Sequence, residues 1–230
     1  DDIGNPGPDF IHGWGEVNAY RSVKILEDGK YFSDSISHLG SNSHTITIPV
    51  GVSQVKIMTY WHDKEGNTSS VTSLVNDINS SLTFSPLGLN YNPLILDPSP
   101  NQISLNSIAV PGLDSLNNME QIVINNPMSG NYILNISGFS IPFGPQEYWV
   151  TYEFITEDIK LTYPIGGEGF VPGETEILRW DASLGSSNFT LDYSTDGGVV
   201  WNSISNNINS EYRYFSWQVP NIVSNSVKVR

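Results

Sequence analysis

Two neighbouring stretches decide the fold: HTITIPV, His44 to Val50, and QVKIMTYW, Gln54 to Trp61. The first alternates Thr and Ile. The second places Val55, Ile57, Thr59 and Trp61 on one side of an extended chain. Strict alternation is the signature of a strand with one face buried. The short break between them, Gly51-Val52-Ser53, suits a tight connection. Further segments predict strands at Leu74–Phe84, Ile103–Val110, Gln121–Ile124, Asn131–Ser137 and Gln146–Phe154. Turn signals separate them, Pro127-Met128-Ser129-Gly130 and Pro142-Phe143-Gly144-Pro145 among them. Many short strands without intervening helices predict an all-β antiparallel sandwich or jelly roll. One segment reads as a helix. Apolar residues fall at Trp14, Val17, Ala19, Tyr20, Val23 and Leu26, and Gly29 follows as a stop.

The 230 residues suggest two domains of roughly 100 residues each. Apolar residues make up 38% of the chain, enough for packed cores. The formal charge of −14 opposes nucleic acid and anionic membrane as partners. Without cysteine, disulfides, thiol nucleophiles and cysteine-ligated zinc are excluded. No run of about 18 apolar residues is present, so no membrane span is expected. The second half carries its own strand pattern from about Thr156. A small Ig-like or fibronectin-like sandwich fits it, and the closing SVKVR reads as a strand cut short. The expectation is therefore a fragment of a longer protein.

A serine protease centre needs Asp, His and Ser presented by separate segments. His12 is the one histidine with a glycine beside it, but its surroundings, His12-Gly13-Trp14-Gly15, lack the Thr and small apolar residues that follow a subtilase histidine. No Gly-Thr-Ser-Met-Ala stretch supplies a nucleophile. His12 therefore reads as a loop residue. Pro8-Asp9, Gly13-Trp14-Gly15 and Val17-Asn18-Ala19-Tyr20 instead resemble the closing segment of a subtilase catalytic domain. Four more elements follow in the order seen in the jelly-roll domain behind some bacterial subtilases, a relative of the kexin P domain. They are Val55–Asp63, Leu74–Asn79, Asp114 with Asn117, Asn118 and Glu120, and Pro127–Tyr132 with Ile141-Pro142 and Gly144-Pro145-Gln146. Beyond them, Leu161–Pro164, Gly166-Gly167-Glu168, Gly173, Ile177 and Trp180 resemble small Ig-like modules of secreted bacterial proteins.

The resemblance implies three parts: residues 1–30 as the end of a catalytic domain, 31–155 as a P-domain-like jelly roll, and 156–230 as an Ig-like sandwich. It implies a secreted or cell-surface bacterial protein. In it this chain is the non-catalytic accessory region of a subtilisin-like endopeptidase. Its partners would be its own catalytic domain and a protein or cell-surface substrate. The alternative is an adhesin module that binds glycan or matrix through exposed aromatics, with Tyr60, Trp61, Tyr148 and Trp149 as the residues in question. Alternation along strands favours the core for Trp61.

Asp63, Asp77, Asp114, Asn117, Asn118 and Glu120 offer hard oxygen donors suited to calcium, which takes about six to eight of them. The same residue types also close loops on their own backbone, and Asn76 with Asp77 fits a sheet corner as well as an ion. Ser194, Asp196, Gly198 and Trp201 match the Asp-box hairpin, a structural device with Asp on the turn backbone and Trp beneath it.

Overall fold

The computed structural model describes residues 2–182 and 188–230. Asp1 and 183–187, which the expected domains include, lie outside them. The chain forms two compact units, Asp1–Ile155 and Thr156–Arg230.

The first unit opens with a loop that packs on the body of that unit. Gly7 lies against Leu94 and Ala109, and the Asn5 side-chain amide donates to the Asn106 carbonyl. Helix α1 (Ala19–Glu27) follows. It is shorter than the Trp14–Leu26 pattern because Asn18 is extended and caps the first turn, its side chain accepting from the Arg21 amide at 3.0 Å. At its other end Gly29 takes a left-handed φ of 63°, and the Lys30 amide reaches back to the Ile25 carbonyl. That is a Schellman closure.

Strands β1 (Tyr31–Ile36), β2 (Ser41–Ile48), β3 (Val52–Trp61), β4 (Asp77–Phe84) and β5 (Leu89–Tyr91) come next. An excursion follows, holding β6 (Leu94–Ile95), the single turn α2 (Gln102–Leu105) and β7 (Val110–Pro111). The unit closes with β8 (Met119–Asn125), β9 (Gly130–Ser140) and β10 (Gln146–Thr156). Two four-stranded sheets form, in the orders β1-β10-β3-β8 and β2-β9-β4-β5. With β6, β7 and the helices set aside, this is the strand order of a jelly roll. The expected inward face of β3 is buried throughout: Val55, Ile57, Thr59 and Trp61 are at most 1% exposed. They meet Ile78, Leu82, Leu134, Ile136 and Tyr148 in one core.

Two expectations are corrected. Ile103–Val110 is not a strand. Asn101 caps a helical turn by accepting from the Ser104 amide, and Ile103 points to solvent, so its alternation has no core to face. Strand β4 starts at Asp77 rather than Leu74, because the amides of Val75 and Asn76 are held by Asp63 instead of a neighbouring strand. Strand β1 carries little apolar alternation (YFSDSI) and pairs along the edge with β10.

The second unit contains β11 (Ile159–Tyr163), β12 (Thr175–Ala182), β13 (Phe189–Ser194), β14 (Asn202–Ile208), β15 (Tyr214–Gln218) and β16 (Lys228–Val229). They form two three-stranded sheets, β11-β12-β15 and β14-β13-β16, around Leu178, Trp180, Leu191, Ile208 and Trp217. Among the described residues no helix is long and apolar enough to cross a membrane.

Candidate functional site

The residues singled out in the first unit gather where β3, β4 and β8 reach one end of the sandwich. Trp61, the last residue of β3, sets the frame. Its indole N–H donates to the Asn76 carbonyl at 2.9 Å. Its backbone is bracketed by Asn118, whose carbonyl accepts from the Trp61 amide and whose side-chain amide donates to the Trp61 carbonyl. Asp63, two residues on, accepts from the amides of Val75 and Asn76 at 2.7 and 2.8 Å, one on each carboxylate oxygen. The exposed excursion from Lys64 to Ser73 is thus pinched shut at its base. Asn76 is buried. Its side chain donates to the Phe143 carbonyl and to Gln146, and accepts from the Phe143 amide. Asp114 accepts from the amides of Leu116 and Asn117 and from the Asn117 side chain.

These contacts divide the six expected ligands. Asp63 holds a backbone amide with each oxygen, and Asp114 holds two backbone amides with one oxygen and the Asn117 side chain with the other. The Asn117 side chain donates to Asp114 in its own loop, and the Asn118 side chain donates to the Trp61 carbonyl at the end of β3. Asp77 and Glu120 differ. Glu120 is 1% exposed; one oxygen accepts from the amide and hydroxyl of Ser80, and the other has no partner among the described residues. One buried oxygen of Asp77 is also without a partner, as is the hydroxyl of Thr59, which stands opposite Glu120 in the β3–β8 register. Burial pushes the Glu120 carboxyl up to about 8; the bonds from Ser80 oppose that shift, and the charges of Asp114 and Asp77 add to it. Burial likewise raises Asp77, with Asp114 and Asp63 adding repulsion. The four carboxylates therefore share one field, and two of them retain unused acceptors inside the protein. An acceptor so placed gains from a proton or a cation. Among the described residues, no three of His, Cys, Asp and Glu are arranged to hold a metal ion by themselves.

Ser80 and Thr59 carried no motif. Their signal was a hydroxyl on the inward side of an otherwise apolar alternation, Ile78-x-Ser80-x-Leu82 and Ile57-x-Thr59-x-Trp61. The four aromatics separate cleanly. Trp61 and Tyr148 are fully buried. The Tyr148 hydroxyl meets His44 at 2.8 Å and accepts from Asn42. Tyr60 and Trp149 instead lie together with ring centroids 6.4 Å apart, and Trp149 is 37% exposed.

His12 is exposed, and its amide donates to Asp9 at 2.6 Å. That bond, with those from Ile11 and Asn5, holds the Asp9 carboxyl below its usual range. In the second unit, the Ser194 hydroxyl donates to Asp196 at 2.7 Å and accepts from the Gly198 amide. Asp196 takes the amides of Val199 and Val200. Gly198 takes a positive φ of 101°, which strains any other residue, and a Cβ there would lie tight against the Trp201 ring at 3.3 Å. Arg230 stacks 4.1 Å over that same ring.

No family model matches the chain, and no curated protein matches it in sequence.

Glu120 yields a pH prediction for chelator-treated protein. The unfolded chain loses this proton near 4.5 and the native one near 8. Between those values the native state holds the extra proton, so stability falls as pH rises, by roughly 1.4 kcal/mol per unit crossed. Asp77 shifts in the same direction and steepens the lower part of the fall. Urea unfolding monitored by tryptophan fluorescence from pH 4.5 to 8 will show this decline, and Glu120→Gln will flatten most of it.

Proposed function

We propose that this chain is the non-catalytic C-terminal accessory region of a secreted bacterial subtilisin-like serine endopeptidase, stabilising the catalytic domain by packing against it. The observation that carries the reading is helix α1. Its half-buried side is fastened to the jelly roll: Arg21 pairs with Glu153 at 3.6 Å, and the Lys30 carbonyl accepts from the Tyr152 amide. The opposite side bears Ala19, Val23 and Leu26 at helical spacing and lies open to solvent. Val17 and Ile11 beside it are 86% and 76% exposed. A short helix gains its stability from an apolar face packed on something. Here the apolar stripe points away from the domain that holds the helix, and on this reading it meets the catalytic body. The parent's reaction is peptide hydrolysis through an acyl-enzyme, to which this chain contributes neither nucleophile nor base. The second unit extends the assembly or helps bind a protein or cell-surface substrate.

A calcium ion at the Trp61 end belongs to the same proposal. Asp77 and Glu120 would be its carboxylate ligands, since their unpartnered oxygens are hard donors. It would supply positive charge among four carboxylates and hold β4 and β8 together.

A second reading, a glycan-binding module, draws on the outward Tyr60 and Trp149 pair. A glycan array separates the two: binding that disappears in Trp149→Ala favours the adhesin.

Three outcomes are expected. In the full-length protease, Val23→Asp with Leu26→Asp will lower the temperature of thermal inactivation, while the 230-residue chain carrying the same changes keeps its circular dichroism spectrum. That chain will not react with fluorophosphonate probes; a labelled serine in it would overturn the reading. Calcium will raise the melting midpoint above that in chelator by mass action, and Asp77→Asn will shrink the difference.

A further inference from the structure

The outward face of the sheet β2-β9-β4-β5 is built unlike the rest of the first unit's surface. Beyond Asp77 at its end, its four strands hold no Asp, Glu, Lys or Arg, in a chain of which 15% is charged. The outward face of the other sheet, by contrast, carries Lys56, Glu147 and Glu153. On β2, alternation turns Ser41, Ser43, Thr45 and Thr47 to solvent. The register sets Asn135 and Asn131 of β9 directly across from Ser43 and Thr47. Ser81 of β4 continues the first of these rows, and Thr83 stands across from Asn90 of β5. The face is thus a grid of hydroxyls and carboxamides, about 4.8 Å apart between strands and about 6.8 Å apart along them.

Hydrogen bonds between neighbouring strands order the grid. The Ser43 hydroxyl donates to Asn135 at 3.1 Å, Thr47 to Asn131 at 2.8 Å, and Thr83 to Asn90 at 3.0 Å. In each pair the hydroxyl proton is committed to the amide oxygen. What remains is a hydroxyl oxygen that can accept beside an amide nitrogen that can donate. The Asn131 nitrogen has no partner among the described residues, and those of Asn135 and Asn90 make only long contacts of 3.3 to 3.5 Å. An uncharged acceptor and donor side by side match a sugar ring, whose adjacent hydroxyls both give and take hydrogen bonds. Side chains already held in place lose little freedom on meeting it. Ile133, between Asn131 and Asn135 on β9, adds an apolar contact for the ring's C–H groups.

We propose that this face binds a neutral glycan, laid over β2 and β9 with its hydroxyls on the Thr47–Asn131 and Ser43–Asn135 pairs. Neutrality follows from the face, which offers no cation to an acidic sugar, and from the chain's charge of −14, which repels one. The site lies on a different sheet from the Tyr60 and Trp149 pair, and it holds whether or not the chain accompanies a protease.

The test is native electrophoresis of the 230-residue protein through gels cast with dextran, galactomannan or xyloglucan, with polygalacturonate as the acidic control. The expected result is retardation by at least one neutral polymer and none by polygalacturonate. Ser43→Ala with Thr47→Val removes both acceptors at exposed positions and should weaken binding about tenfold with an unchanged circular dichroism spectrum. Thr45→Lys, which sets a bulky charge between the two pairs and leaves both intact, should weaken it as well. Trp149→Ala should bind like the unaltered protein. Free migration in all three neutral gels overturns the proposal, as does full binding by either β2 variant. Binding lost in Trp149→Ala assigns recognition to the other sheet, and preference for polygalacturonate assigns it to a charged site; each overturns the proposal.

Discussion

The Trp61 indole has to bury its ring and still place its N–H, and the end of the jelly roll is organised around that requirement. The ring is fully enclosed, so its donor must find an acceptor inside, and it finds the Asn76 carbonyl. That bond fixes the backbone just before β4 begins. Asp63 then fixes the two preceding amides, and the Asn76 side chain fixes the turn at Phe143. A single buried aromatic thus sets the relative positions of β3, β4 and the hairpin between β9 and β10. Apolar packing alone would leave these loops free to slide, because it has no direction. The hydrogen bonds supply the direction.

The same end of the sandwich carries a cost. Four carboxylates lie in one field, and Glu120 is inside the core with one oxygen unpartnered. A buried acceptor of this kind lowers stability unless something charged or protic reaches it. Loops tied by acidic residues and an interior that gains from a cation therefore arise from one arrangement. Repulsion among carboxylates thus falls where Asp63 and Asp114 tie the loops.

The sheets were legible in the sequence where apolar alternation has a core behind it, along all of Gln54–Trp61 and at Ile46 and Ile48 of His44–Val50. Legibility failed where alternation had no core behind it, as at Ile103–Val110, and where an Asx side chain took the backbone amides, as before Asp77. The site was half legible. The motif resemblance put Asp63, Asp77, Asp114 and Glu120, with Asn117 and Asn118, into one candidate set. It did not say which oxygens the backbone would claim, since that depends on loops closing from Val75 and Leu116. Ser80, which takes one side of Glu120, lies 40 residues away from it in sequence and carried no motif.

The pinch made by Asp63 has a consequence for covalent continuity. Lys64 to Ser73 is an exposed span whose two ends are fixed to each other by side-chain bonds, while β3 and β4 are each laid into a sheet with other partners, β8 and β9. The peptide bonds across that span are therefore not what keeps the jelly roll whole. A polypeptide cut there would remain one folded body, two fragments clasped along their ladders, and the cut would be silent until denaturant released them.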